Sequence, residues 1–196
     1  MPIDACARRG CGARSSAHVR ACALAALLAA GLAPAAGAAA APAHASRQAC
    51  AAAAAVPGAA AAAELRRSLR CLVNSTRAAH GLRPLRADRR LGAAARRHAA
   101  DMVARGYFAH ERAGSTLRSR VRAADWAGAA AAEAIAWGCG RRGTPRAVLD
   151  AWLASPGHRA IVLGPYNRAG VGLALGAPLT IACSGAGTWV LDAGRR

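Results

Sequence analysis

The chain has 196 residues, 55% of them apolar by class, and a formal net charge of +18. Of its 107 apolar residues 60 are Ala, the aromatics are one Phe, two Tyr and four Trp, and all 27 basic residues are Arg. A methyl side chain buries little surface, so these totals exclude a polytopic membrane protein, while the larger apolar residues exclude a wholly disordered chain. Ala, Arg, Gly and Pro together point to a GC-rich coding sequence. The Arg fraction therefore does not identify a nucleic-acid binder, and no specific nucleic-acid binding is expected.

Residues 21–41 carry no charge, follow Arg20, and run on to Ala43-His44-Ala45, a small-x-small exit. A basic start, an apolar stretch and such an exit read as a secretory signal peptide over residues 1–45. The first 18 residues are long for its basic region and hold Cys6 and Cys11, which points to a true start at Val19. A membrane anchor is the rival reading. Against it, only Leu24, Leu27, Leu28 and Leu32 are strongly apolar, and Gly31, Pro34 and Gly37 interrupt the run. The mature form is expected to carry no transmembrane anchor.

Without residues 1–45 there remain 151 residues with 23 Arg and 8 acids, a net charge of +15. The cysteines that remain are Cys50, Cys71, Cys139 and Cys183, an even number that reads as two disulfides in an exported chain. Four cysteines allow three connectivities. The favoured one pairs Cys50 with Cys71, tying an N-terminal arm to the first helix, and Cys139 with Cys183. A four-Cys zinc site would need CxxC pairs, and there are none.

Residues 46–63 are an Ala-rich linker or arm. From Glu64 the period is helical, with Leu65, Leu69, Leu72, Val73 and Thr76 on one face and Arg66, Arg67, Arg70 and Arg77 largely off it. Gly81 ends that helix. Asp88 is placed to cap a second one, which runs to Arg105 and stops at Gly106. Its apolar face is Leu91, Ala95, His98 and Met102, and His98 there reads as a hydrogen-bonded core residue rather than a ligand. Ser115 or Thr116 opens a short helix, and Thr144-Pro145 opens another with Val148, Leu149, Trp152 and Leu153 inward. Ser155-Pro156-Gly157 breaks it, and His158–Leu163 adds a further turn or two. The late apolar runs Ala169–Leu175, Leu179–Ser184 and Thr188–Asp192, split by Gly and Pro, read as strands. Helices first and an antiparallel sheet last make an α+β domain over residues 64–196.

Three phrases carry a resemblance: Leu72-Val73-Asn74-Ser75-Thr76-Arg77 with Gly81-Leu82-Arg83-Pro84-Leu85; Ala99-Ala100-Asp101-Met102 with Tyr107-Phe108-Ala109-His110; and Ala151-Trp152-Leu153-Ala154-Ser155-Pro156-Gly157-His158-Arg159. In this order they resemble the CAP superfamily (SCP-like; cysteine-rich secretory proteins, antigen 5 and pathogenesis-related proteins), in its bacterial secreted branch. The resemblance runs from about Cys50 to Gly194. It implies a three-layer α-β-α sandwich around a small antiparallel sheet, and a cleft lined by two histidines and acids. The matching histidines are His110 and His158, and the matching acid is Glu133 in Glu133-Ala134-Ile135-Ala136-Trp137-Gly138. Two imidazoles and a carboxylate suit a divalent metal such as zinc, and the same trio suits proton transfer.

The chain also departs from the family pattern. Ala134 and Ile161 stand where relatives usually have Asn, and Ala193 stands where an aromatic precedes Gly194. The second acid of animal and plant members has no assignable equivalent. Ser155 falls near its place, and Asp150 is a nearby candidate. Each lost polar neighbour weakens metal binding by about 10–100-fold. The preferred reading is a secreted, non-enzymatic module that binds a ligand or surface partner, with weak zinc binding at His110 and His158. The partner is unknown, and a lipid or a cell-wall component is open. The alternatives are a metal-assisted hydrolase or peptidase in the same cleft, and a cationic binder of envelope polyanions.

Overall fold

The computed structural model describes residues 50–196. The expected leader, the Val19 start and the three leader cysteines lie outside the described residues. Helix α1 spans Ala62–Ala79, strand β1 Arg86–Ala87 and helix α2 Arg89–Arg105. Helix α3 (Leu117–Arg122) and strand β2 (Ala130–Gly138) follow. A 3-10 turn over Gly140–Gly143 leads into α4 (Pro145–Ala154) and α5 (Pro156–Val162), and the chain ends with β3 (Arg168–Leu175) and β4 (Gly187–Arg195). The helix starts follow capping chemistry. Asp88 accepts from the N–H groups of Arg90 and Leu91, Thr116 forms a reciprocal box with Ser119, and Thr144 accepts from Ala147. Gly106 closes α2 in the left-handed conformation at φ 66°, where a Cβ is penalised.

The sheet has the order β1-β3-β4-β2, with β3–β4 and β4–β2 antiparallel and β1 added parallel to β3. Alternation along the strands sends Ala134, Ala169, Val171, Leu173, Trp189 and Leu191 to one face. There they pack with Leu65, Leu69, Leu72 and Val73 of α1, Val148, Leu149 and Trp152 of α4, and Val162 of α5. Ile135 and Val190 face the other way, onto Ala95, Ala99 and Met102 of α2. The α+β, α-β-α architecture follows. On the α2 side Gly170 and Gly172 leave room for close packing: a Cβ at Gly170 would strike the backbone of Gly92, and one at Gly172 the carbonyl of Ala95.

The disulfides join Cys50 to Cys71 and Cys139 to Cys183. Residues 50–61 are turns laid on the domain, with Ala52 buried and the Ala53 carbonyl accepting from Arg146 N–H at 2.9 Å.

Two expectations are corrected. Leu179–Ser184 is an irregular loop, not a strand. Pro178 lacks an N–H, Cys183 is tied to Cys139, and the place beside β4 belongs to β2, which the sequence pattern did not reveal. Arg77, placed off the apolar face of α1, is buried. Its guanidinium donates to the carbonyls of Arg83 (3.0 Å), Val162 (2.8 Å), Gly164 (3.0 Å) and Tyr166 (3.3 Å).

Candidate functional site

Among the described residues strand β2 has a neighbour on one side only, so groups from both helical layers can meet around that edge. Glu133 stands on its α2 face, with its side chain 2% exposed. Three cations or potential cations converge on it. Arg120, from α3, donates Nη2–H to Oε2 at 2.7 Å, and His110, from the loop after α2, places Nδ1 2.9 Å from Oε1. His98 of α2 stands behind, its Nε2 3.6 Å from Oε1, just beyond hydrogen-bond reach. Burial pushes the Glu133 carboxyl upward. The His110 hydrogen bond and the charges of His98 and Arg120 outweigh that and hold it below the usual carboxylate range.

The loop that carries His110 is clamped from below. Tyr107 donates its hydroxyl to Asp101 Oδ2 at 2.6 Å, and the Arg112 guanidinium sits 5.0 Å from the Tyr107 ring centre. Burial and that hydrogen bond push the Tyr107 hydroxyl up to about 12, so it stays a donor at all ordinary pH. His158 arrives from the opposite layer, in the first turn of α5. The His110 and His158 ring centres are 6.1 Å apart and inclined at 46°. Burial, followed by repulsion from His110, lowers the His158 pKa and favours the neutral imidazole. Thus His110, Glu133 and His158 are brought together, with His110 half-exposed and Glu133 sealed beneath it.

Three further members were not assigned from sequence. Arg120 sits in the run Arg118-Ser119-Arg120-Val121-Arg122, where only its burial distinguishes it from its exposed neighbours. His98 is the core histidine expected on α2, yet it is also a wall of this site. Asp192 is the cross-strand partner of Glu133, is fully buried, and has no donor to either oxygen among the described residues. Burial, then the negative charge of Glu133, raises the Asp192 pKa well above its usual range. Two adjacent buried carboxyls oppose each other's ionisation, so of the pair Asp192 holds its proton the more tightly and Glu133 the less. A lone acid inside Trp189-Val190-Leu191-Asp192-Ala193 was the available signal. Asp150, by contrast, is exposed on α4, and Ser155 occupies the junction of α4 and α5.

The donor set fits a protein-held metal centre poorly. Both Glu133 oxygens are already engaged, and no group of three His, Cys, Asp or Glu among the described residues is arranged to hold an ion. What is left is His110 Nε2 and the His158 ring, fewer ligands than zinc takes in its ordinary protein sites.

The fold is a disulfide-linked α-β-α sandwich, and the chain belongs to the CAP family. Residues 71–189 match the model of the cysteine-rich secretory protein family. The chain is 36% identical over 104 residues to the uncharacterized protein YkwD of Bacillus subtilis, a match that spans 52% of this chain and 39% of that protein. Among solved structures it resembles an extracellular protein containing an SCP domain from Bacillus anthracis (TM-score 0.58, 24% identity, 71% of this chain and 45% of that one). It also resembles an outer surface protein of Borrelia burgdorferi (TM-score 0.61, 20% identity, 70% of this chain and 96% of that one). No helix among the described residues is long and apolar enough to cross a membrane.

Proposed function

We propose that the protein is an exported CAP module that binds a ligand or surface partner through the face formed by His110 and His158, without turning it over. One observation carries this reading: both oxygens of the buried Glu133 are already engaged. Oε2 accepts from Arg120 and Oε1 faces His110 Nδ1, so the sealed carboxylate orients His110 and does not act as a free base. Among the described residues no Ser, Thr or Cys hydrogen-bonds to either site histidine, and a covalent route lacks its nucleophile. Export is supported by the leader-like residues 1–45, the two disulfides, and the extracellular and outer-surface descriptions of the solved neighbours. Zinc enters only as a weakly held ion between the two imidazoles.

One observation favours a second reading. His110 has a carboxylate at Nδ1, which is the arrangement that turns an imidazole into a base toward water at Nε2. Esterase and peptidase panels on wild type and Glu133→Gln separate the two readings. The binding module shows no turnover in either protein, and hydrolysis that Glu133→Gln abolishes would overturn it. A parallel zinc titration is expected to give weak heats that vanish in His110→Ala/His158→Ala, and identical heats in both proteins would remove the metal from the reading.

A further inference from the structure

Away from the His110–His158 face, α1 on one face of the sheet and α2 on the other flank the edge of β3 and leave a groove of about 270 Å³ there. Its charged lining is Arg66, Arg67 and Arg70 from α1, Arg89 and Arg96 from α2, and Asp88. None of the five arginines makes an ion pair or side-chain hydrogen bond among the described residues. Asp88 is the acid within reach, and its carboxylate is already committed to the N–H groups of Arg90 and Leu91 as the cap of α2.

Two of the five arginines, Arg66 and Arg70, are partly withdrawn from water, while Arg67, Arg89 and Arg96 are exposed at the rim. Arg96 folds back so that its Nη1 lies 3.2 Å from where a Cβ on Gly92 would stand, over the groove floor that this glycine leaves open. Arg66 comes near enough to Arg96 and Arg67 that, after burial, their repulsion lowers its pKa. A solvated cationic face would splay such side chains apart. Here cations from two separate helices converge on a concave space and none is neutralised.

We infer that the groove between α1 and α2 is a binding site for a small oligophosphate anion. The chemistry follows from size and charge. The volume falls below the roughly 300–1,000 Å³ of sites for drug-sized ligands, so the occupant is small. Five cations against one occupied carboxylate call for several negative charges in that space. Planar guanidinium forks match phosphate oxygens two at a time, which a monocarboxylate cannot use more than once. The site is independent of the cleft and of whether the cleft binds or hydrolyses.

The test is calorimetric titration of the purified protein with sodium tripolyphosphate, with inorganic phosphate as the weaker comparison. One saturable site is expected in wild type, with a rise in melting temperature on addition of the anion. Arg66→Gln/Arg96→Gln is expected to weaken affinity by about tenfold or more, as the loss of charge-assisted bonds requires. It should melt no lower than wild type, because a repulsion has been removed. Arg141→Gln/Arg142→Gln removes the same charge from an exposed turn outside the groove and should change affinity little. His110→Ala/His158→Ala should not change it at all. The inference is overturned by the absence of a saturable site, by several equivalent sites, or by equal weakening in the two arginine pairs. Should the double variant fail to fold, unchanged affinity in Arg66→Gln alone overturns it as well.

Discussion

Arg77 and Glu133 are both withdrawn from water, one where α1 meets the segment after α5 and the other on the α2 face of β2, but their partners differ in kind. Among the described residues Arg77 has no acid within ion-pair reach. Its fork gathers carbonyls from residues 83, 162, 164 and 166, all of them uncharged, and so splices three stretches of chain together. Glu133 is surrounded by groups that carry or can carry charge: Arg120, His110, His98 and Asp192. Buried charge thus serves as a fixed joint in the first region. In the second it forms a titratable assembly that presents His110 to the surface.

The difference is sharpened most by removing Arg77. Arg77→Ala leaves four carbonyls without their donor and is expected to destabilise by about 4 kcal/mol in denaturant unfolding, with little dependence on pH between neutrality and mild acid. Arg77→Lys should recover only part, since one ammonium cannot reach across the same fork. A loss below about 1 kcal/mol, the net worth of a single ordinary hydrogen bond, would break the joint interpretation. Arg120→Ala strands Glu133 and should cost about 3 kcal/mol, much of it restored in Arg120→Ala/Glu133→Gln, where the stranded charge is gone.

The pH dependence comes next in size. The folded-state pKa of Glu133 lies below its ordinary value of 4.5, so its contribution is present above that value and is lost as pH falls through the folded one. His98 adds a slope of the same sign at higher pH. Burial lowers its pKa below 6.5, so stability declines as pH falls below 6.5 and the unfolded chain takes up the proton first. Acid unfolding of Glu133→Gln should therefore lack the lower step and keep the upper one. An unchanged lower step would show that Glu133 is not held ionised. A pH effect of opposite sign belongs to Asp192→Asn. Because the folded pKa of Asp192 is raised, keeping its proton costs more as pH rises above the ordinary value of 3.8. Asn needs no such proton. The variant should gain stability relative to wild type as pH increases, and a gain independent of pH would show that Asp192 does not carry a raised pKa.

The helices were legible because their signals are local. Asp88, Thr116, Thr144 and Gly106 mark their ends, and the apolar faces fall at helical spacing. Strand β2 was not legible: Ala130-Ala131-Ala132-Glu133-Ala134 places Ala on both faces, and alternation is blank where every residue is small. The opposite error arose at Leu179–Ser184, apolar enough for a strand but held as a loop by a proline and a disulfide. His110, Glu133 and His158 were legible through family phrases. Arg77 and Arg120 were not, because in a chain whose every cation is Arg, identity does not separate a buried joint from a solvated side chain. Only long-range partners do.

The two disulfides share a placement with a consequence of its own. Each joins an irregular segment to the body of the domain: the arm at residues 50–61 through Cys50, and the loop between β3 and β4 through Cys183. Such segments are where proteases first find extended backbone to cut. Neither bridge crosses the packed layers, so reduction is expected to loosen the edges before it melts the centre, and limited proteolysis of reduced protein should nick both segments while sparing the helices. In surroundings rich in secreted peptidases, the bridges would then govern how long each molecule survives more than whether it folds.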